Sequence, residues 1–181
     1  MDPKRLVVTV AGPHGSGRST QARLLSEELG LRYVSAGTLF RESARELGLT
    51  LEEASRKASE DRDFDNYLDR RTREEAARGG VVIDATLSGW MSDGAHLRIY
   101  LSCPLEKRVR RIAEREGRPI AEVLEETRFR EANELVRFRE FYGVDLGDLS
   151  VYDLVVNTGL FDAAAVSRIL KNVVAEYLVC R

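Results

Sequence analysis

Between Gly12 and Thr20 the chain reads Gly-Pro-His-Gly-Ser-Gly-Arg-Ser-Thr. Glycines, a basic side chain and two adjacent hydroxyls in that order suit the binding of an anion. Gly12, Gly15 and Gly17 let the backbone adopt conformations that a Cβ would forbid, so successive N–H groups can turn inward on phosphate oxygens. Pro13, His14 and Ser16 complete the loop, and Arg18, Ser19 and Thr20 follow it. Ser19 can offer its hydroxyl to Mg²⁺. The pattern calls for Lys at position 18, where this chain has Arg. A guanidinium keeps the charge and binds phosphate bidentately, but it is larger and planar where an ammonium is a compact point. Three outcomes are open at Arg18: function with a shifted donor, slower catalysis, or binding without turnover. The remainder of the site favours the first.

Asp84 ends the apolar run Val81-Val82-Ile83. A carboxylate there can hold Mg²⁺ through water, opposite Ser19; the bland alternative is an acid capping a turn. Ser35-Ala36-Gly37-Thr38-Leu39-Phe40-Arg41 reads as a second phosphate turn, with hydroxyl, backbone and guanidinium within one helical turn, although S-x-G before a helix is also ordinary capping. Asp69-Arg70-Arg71 lies on a charged helix that could roof this turn or be solvated and ion-paired. Arg108, Arg111, Arg115, Arg118, Arg128, Arg130 and Arg137 form a third basic cluster. Arg130 and Arg137 share a helix face, and two or three of the seven are expected to reach a transferring phosphoryl group.

The elements that must position these residues follow from periodicity. Leu6–Ala11, Leu31–Ser35, Val81–Asp84, Leu97–Leu101 and Tyr152–Asn157 read as strands, with helices expected over 21–29, 38–46, 49–60, 64–78, 105–116, 120–141 and 162–179. Thr50-x-x-Glu53 is a capping box. The helix over 64–78 carries only a thin apolar stripe of Phe64, Leu68 and Ala76, which suits a cleft cover. Five strands alternating with helices predict an α/β fold, a parallel sheet with helices on both faces and ligand groups at the carboxyl ends of the strands.

With 181 residues, 43% hydrophobic and 32% charged, the chain fits one globular domain. A net charge of −2 argues against a nucleic-acid surface, and no run of residues is apolar enough for a membrane span. No leader is legible before the first strand, so a cytoplasmic location is expected. Cys103 and Cys180 are read as core or near-core side chains. A single glutamine among many charges resembles a thermophile's composition.

Several stretches together resemble the archaeal-type cytidylate kinases of the nucleoside monophosphate kinase family. They are G-P-H-G-S-G, Y-V-S-A-G-x-L-F-R, L-D-R-R, V-V-I-D with a following G-W, A-E-R-E-G, R-E-x-x-E-x-x-R from Arg130 to Arg137, Y-G-V-D and L-S-V-Y-D-L-V-V-N-T. The resemblance spans nearly the whole chain. It implies a three-layer P-loop fold whose five-stranded parallel sheet carries a small insert for the nucleoside monophosphate and a lid. It divides a single domain, 1–181, into a core of about 1–36, 80–114 and 150–181, an insert of about 37–79 and a lid of about 115–149. The implied reaction moves a phosphoryl group from ATP to CMP or dCMP with Mg²⁺. Residues 12–20 would bind ATP, with Gly15, Gly17, Arg18, Ser19 and Thr20 on its phosphates. Ser35, Gly37 and Arg41 would bind the CMP phosphate, Asp69 and Arg70 or Arg71 would contact CMP, and Asp153 would serve the pyrimidine side or position lid arginines. Arg18, Arg130 and Arg137 would be catalytic, and Ser19 and Asp84 would serve the metal. Small nucleotides would be the only partners of a monomer. Two departures stand out: Arg18, and Asp84-Ala85-Thr86 where D-G-x is usual. They leave open a binding protein with weakened turnover, acting as a partner or regulator. A kinase for another acceptor, UMP or AMP, is the rival within enzymes.

Overall fold

Five short runs rich in Val, Ile and Leu pair side by side in the computed structural model, which describes residues 3–60 and 62–181. They are β1 (Val7–Ala11), β2 (Arg32–Ser35), β3 (Val81–Asp84), β4 (Leu97–Ser102) and β5 (Leu154–Asn157). The order is β2-β3-β1-β4-β5 and every pairing is parallel. A parallel sheet needs a crossover between strands, and helices supply it: α1 (Arg18–Leu29), α2 (Ala36–Glu46), α3 (Leu51–Glu60), α4 (Arg62–Arg78), α5 (Ser88–Met91), α6 (Leu105–Glu116), α7 (Ile120–Tyr142) and α8 (Ala163–Val179).

The sheet's apolar side chains divide between its faces because alternate residues point oppositely. Val8, Val10, Ile99 and Leu101 meet Ala22 and Leu25 of α1 and Val166, Leu170 and Val174 of α8. Val7, Val81 and Ile83 meet Ala76 of α4 on the other side. Phe40, Ala44, Leu49, Ala54 and Leu68 form a separate small cluster joining α2, α3 and α4. Val109 and Ala113 of α6 pack on Val123 of α7. The helix-covered parallel sheet expected from the periodicity is thus present. The central strands β1 and β3 are fully buried and read as continuous apolar runs.

Local differences have local causes. Arg18, Ser19 and Thr20 already belong to α1, since left-handed Gly17 caps it, so they form its first turn. Ser35 caps α2 by accepting from Thr38 N at 3.0 Å, which starts that helix two residues early. The Thr50–Glu53 capping box is formed as expected. Helix α5 escaped the periodicity because it is a single turn; its Gly89 lies so close to Tyr152 that a Cβ would sit 2.6 Å from the ring. Leu68 and Ala76 carry the apolar stripe of α4, while the side chain of Phe64 lies outside the described residues. Cys103 is buried, but Cys180 caps the end of α8 and is exposed, contrary to the expectation of a core side chain.

Candidate active site

Parallel register brings the chemistry to one edge of the sheet. Asp84 lies opposite Val10 on one side and Ser35 on the other, so the phosphate loop, the acid and the second turn are neighbours. The loop leaves β1 at Gly12, whose φ of 146° and crowding suit glycine alone: a Cβ would stand 2.4 Å from Leu101 O. Its inner peptides are anchored from behind. Arg108, 6% exposed, donates from Nη1 to His14 O at 2.9 Å and from Nε to Cys103 O at 3.0 Å, and it pairs with Glu131. Thr158 Oγ1 donates to Ser16 O at 2.7 Å, and Arg111 donates to Thr158. In a trans peptide the N–H points away from the carbonyl. Fixing the carbonyls of His14 and Ser16 therefore turns the N–H groups of Gly15 and Gly17 the other way. Arg108 and Arg111, members of the third basic cluster, brace this loop from behind.

Arg18 does not reach along the loop as a phosphate-binding lysine would. Its Nε donates to Asp84 Oδ1 at 2.5 Å, and its Nη1 donates to Gly12 O at 2.9 Å and Thr86 Oγ1 at 3.0 Å. Nη2 has no partner among the described residues. The other oxygen of Asp84 accepts from the Tyr33 hydroxyl at 2.8 Å. Burial, then the hydrogen bond to Asp84 and its charge, push the Tyr33 phenol upward. Asp84 is 2% exposed, so two donors share a carboxylate with almost no water. The methyl of Ala85 packs with Val7, Ala76 and Ile83, a place for the side chain that D-G-x would lack.

Ser19 and Asp84 line the same cleft. No group of three His, Cys, Asp or Glu that could hold a metal ion occurs among the described residues. One hydroxyl and one carboxylate, each with lone pairs to spare, fit a hard ion that keeps its waters and arrives on phosphates. That is the behaviour of Mg²⁺, and the residues present suit it.

Two clefts meet at the loop. The smaller, about 160 Å³, is lined by residues 13–15, 17–20, Arg115, Thr127 and Arg130, among others. The larger, about 520 Å³, is the size of a small-molecule site. Ser35, Gly37, Arg41, Asp69 and Asp84 lie on its wall. Thr38 binds Ser35 Oγ, and Arg41 Nη2 donates to Thr38 Oγ1 at 3.3 Å, so a guanidinium sits over the start of α2. Burial pushes the Asp69 carboxyl upward against a Tyr142 hydrogen bond and the charges of Arg73 and Arg137. Its Oδ2 is shut from solvent with no hydrogen-bond partner among the described residues.

Helix α7 closes over both clefts. Arg130 lines each of them, and Arg137 lines the larger. Glu134, between them on the same face, meets His14 Nε2 at 3.0 Å. Burial works to raise the Glu134 carboxyl, but the His14 bond and the charges of His14, Arg130 and Arg18 hold it below the usual range.

Three expected acceptor residues are elsewhere. Arg70, 66% exposed, pairs with Glu74 and stacks on Tyr67. Arg71 is held by Glu46 and Tyr67. Arg70 points to the solvent side of α4 and Arg71 toward α2, and neither lines the larger cleft. Asp153 lies before β5, at the amino end of the sheet, where it accepts from Arg98 N at 2.7 Å. The expectation that it serves the pyrimidine gives way to a strand-end clamp. Asp153→Ala should lower stability by about 1 kcal/mol, read as a small fall in Tm, with the KM for any acceptor unchanged. Of the remaining basic cluster, Arg115 lines the smaller cleft, Arg118 is tied to Glu116 and Glu126, and Arg128 is exposed. Residue-by-residue reading missed Tyr33, Thr86 and Glu134. Only Glu134 carried a signal, its place midway between the paired arginines.

A model of the cytidylate kinase-like family matches residues 7–160. The chain is 47% identical over 167 residues to a cytidylate kinase of Ignicoccus hospitalis, with 92% of this chain and 97% of the relative covered. A cytidylate kinase of Staphylothermus marinus is 42% identical over 174 residues, covering 96% and 98%. Among solved structures, the fold is similar to an uncharacterized protein from Eubacterium ventriosum, with TM-score 0.71, 15% identity and coverage of 97% and 99%. It is also similar to a shikimate kinase from Bacteroides thetaiotaomicron, with TM-score 0.61, 14% identity and coverage of 94% and 98%. At those identities the likeness to solved structures concerns fold alone.

Proposed function

Because the chain belongs to the cytidylate kinase-like family, we propose that it transfers the terminal phosphoryl group of ATP to CMP or dCMP, giving ADP and (d)CDP. The observation that carries this reading is the pair of clefts meeting at one phosphate loop, with His14, Arg18, Ser19 and Arg130 on both. A two-substrate phosphoryl transfer needs that arrangement, because donor and acceptor must approach in line from opposite sides.

In this reading residues 12–20 bind ATP in the smaller cleft. The N–H groups of Gly15 and Gly17, held outward by Arg108 and Thr158, and the first turn of α1 receive its phosphates. Ser35, Gly37 and Arg41 hold the acceptor's phosphate, and Asp69 takes a base amine on its free oxygen. Mg²⁺, held on the nucleotide phosphates with Ser19 directly and Asp84 through water, would neutralise charge between donor phosphates. Arg130 and Arg137 approach from α7 and exclude water as that helix settles. No covalent intermediate is required, since the transfer is direct and in line, and no general base is needed, since the acceptor is already an anionic oxygen at neutral pH. The core is about 1–36, 80–114 and 150–181, the acceptor insert about 37–79 and the lid about 115–149. No helix among the described residues is long and apolar enough to cross a membrane. The proposal takes the enzyme as a cytoplasmic monomer, since one chain carries both clefts.

The test is ADP formation from Mg·ATP with CMP, dCMP, UMP and AMP in parallel. CMP and dCMP are expected to stimulate turnover well above the ATP-only rate. Stimulation by UMP or AMP instead would reassign the acceptor. Binding of ATP and CMP with no product would turn the reading to a nucleotide-binding partner protein.

A further inference from the structure

A loop of this type uses a cation from its own sequence against the donor's outer phosphates. Arg18 occupies that sequence position, but with Nε and Nη1 committed to Asp84, Gly12 O and Thr86 it keeps only Nη2 for a phosphate. A second candidate stands four residues earlier. His14 is at the turn of the loop, lines both clefts, and has its carbonyl pinned by Arg108. Its Nε2 meets the Glu134 carboxylate at 3.0 Å.

We propose that His14, as an imidazolium paired with Glu134, is the loop cation that contacts the terminal phosphates of ATP, and that Glu134 is its positioning residue. The inference rests on the donor-site reading above. An imidazole bonded to a carboxylate through Nε2 keeps Nδ1 as a second polar atom. With both nitrogens protonated it donates to the carboxylate on one side and to a phosphate oxygen on the other. Glu134 suits that part because its carboxylate stays ionised. It also rides on α7 beside Arg130, so lid and loop are joined at the transfer point by one contact. The ring of His14 meets Glu134, on which the charges of Arg130 and Arg18 also act, and Arg108, paired with Glu131, lies behind its carbonyl. The charges around Glu134 hold its carboxyl below the usual range, so it stays ionised.

The sign follows directly. The cationic form attracts phosphate and the neutral form does not, so affinity for ATP is expected to fall as pH rises. Calorimetric binding of ATP with Mg²⁺, without acceptor, between about pH 5.5 and 8 reads this. Wild-type affinity should fall by about tenfold more across that range than that of His14→Gln, the loss of one charge-assisted hydrogen bond. His14→Lys should keep tight binding at the alkaline end, and Glu134→Gln should move the wild-type loss to lower pH. The chain has two histidines, and the ring of His96 accepts from Val7 N at the far end of β1. Imidazole ¹⁵N shifts of the wild-type protein therefore report His14 without any substitution. They should show the doubly protonated ring in the ATP complex near neutral pH. A neutral His14 ring in that complex, or a His14→Gln protein with wild-type affinity and pH profile, would overturn the proposal and leave the kinase reading intact. A wild-type protein that binds no ATP at any pH would overturn both.

Discussion

Arg18→Ala is expected to lower kcat/KM by at least about 100-fold and to destabilise the fold by about 3 kcal/mol. Both effects start at Asp84. With its carboxylate 2% exposed, removing the guanidinium leaves a buried charge with only the Tyr33 hydroxyl as donor. The same change frees Gly12 O and Thr86 Oγ1, so the start of the loop and the segment after β3 lose their common tie. Against a typical stability of roughly 5–15 kcal/mol, the loss should show as a Tm lower by about 6–12 °C. Arg18→Lys separates charge from shape. An ammonium can still pair with Asp84, but a single nitrogen cannot span Asp84 Oδ1, Gly12 O and Thr86 Oγ1 as the planar fork does. The lysine variant should therefore lose about tenfold in kcat/KM while keeping most of the stability. A gain in activity for Arg18→Lys would mean that the arginine hinders catalysis, and the clamp would not be its purpose.

How legible this was depended on distance along the chain. The loop could be read because glycines, strand and helix lie within one local stretch, and each has a backbone reason to be there. Register did the next step: strand ends carrying Gly12, Ser35 and Asp84 must meet on one edge of a parallel sheet. The same rule argues against Asp153, which precedes its strand and so belongs to the opposite edge. Helix α4 offered a similar lesson. At about 100° per residue, Leu68 and Asp69 flank Thr72 on one face, while Arg70 and Arg71 fall away from it. What could not be read were partners chosen by the tertiary fold. The targets of Arg18 lie 66 and 68 residues away, and His14 finds Glu134 across 120. Arg108 looked like any arginine of a charged helix. Only the approach of α6 to the loop makes it a buried anchor.

The second large effect is expected at Arg130. It lines both clefts and makes no hydrogen bond or ion pair with a described residue, so its guanidinium is available to the group in transit. In phosphoryl transfer, negative charge builds on the bridging oxygen of the donor as its bond to phosphorus breaks and is spread over the group in transit, and a positive group over that path stabilises the transition state more than either substrate. Arg130→Ala should therefore lower kcat by about 10²–10³ while the KM values for ATP and CMP move only a few-fold. Arg137 supplies the contrast. Of the two clefts it lines only the larger, over the Phe138 ring at 4.9 Å and close enough for its charge to act on Asp69. Its alanine variant should act mainly on the KM for CMP. Arg130→Lys keeps the charge but not the fork, so it should recover only part of kcat. Single-turnover measurements with both substrates saturating separate this loss from slow lid closure or product release. A chemical step in Arg130→Ala within about threefold of wild type would remove Arg130 from the transition state and leave its charge a role only in binding.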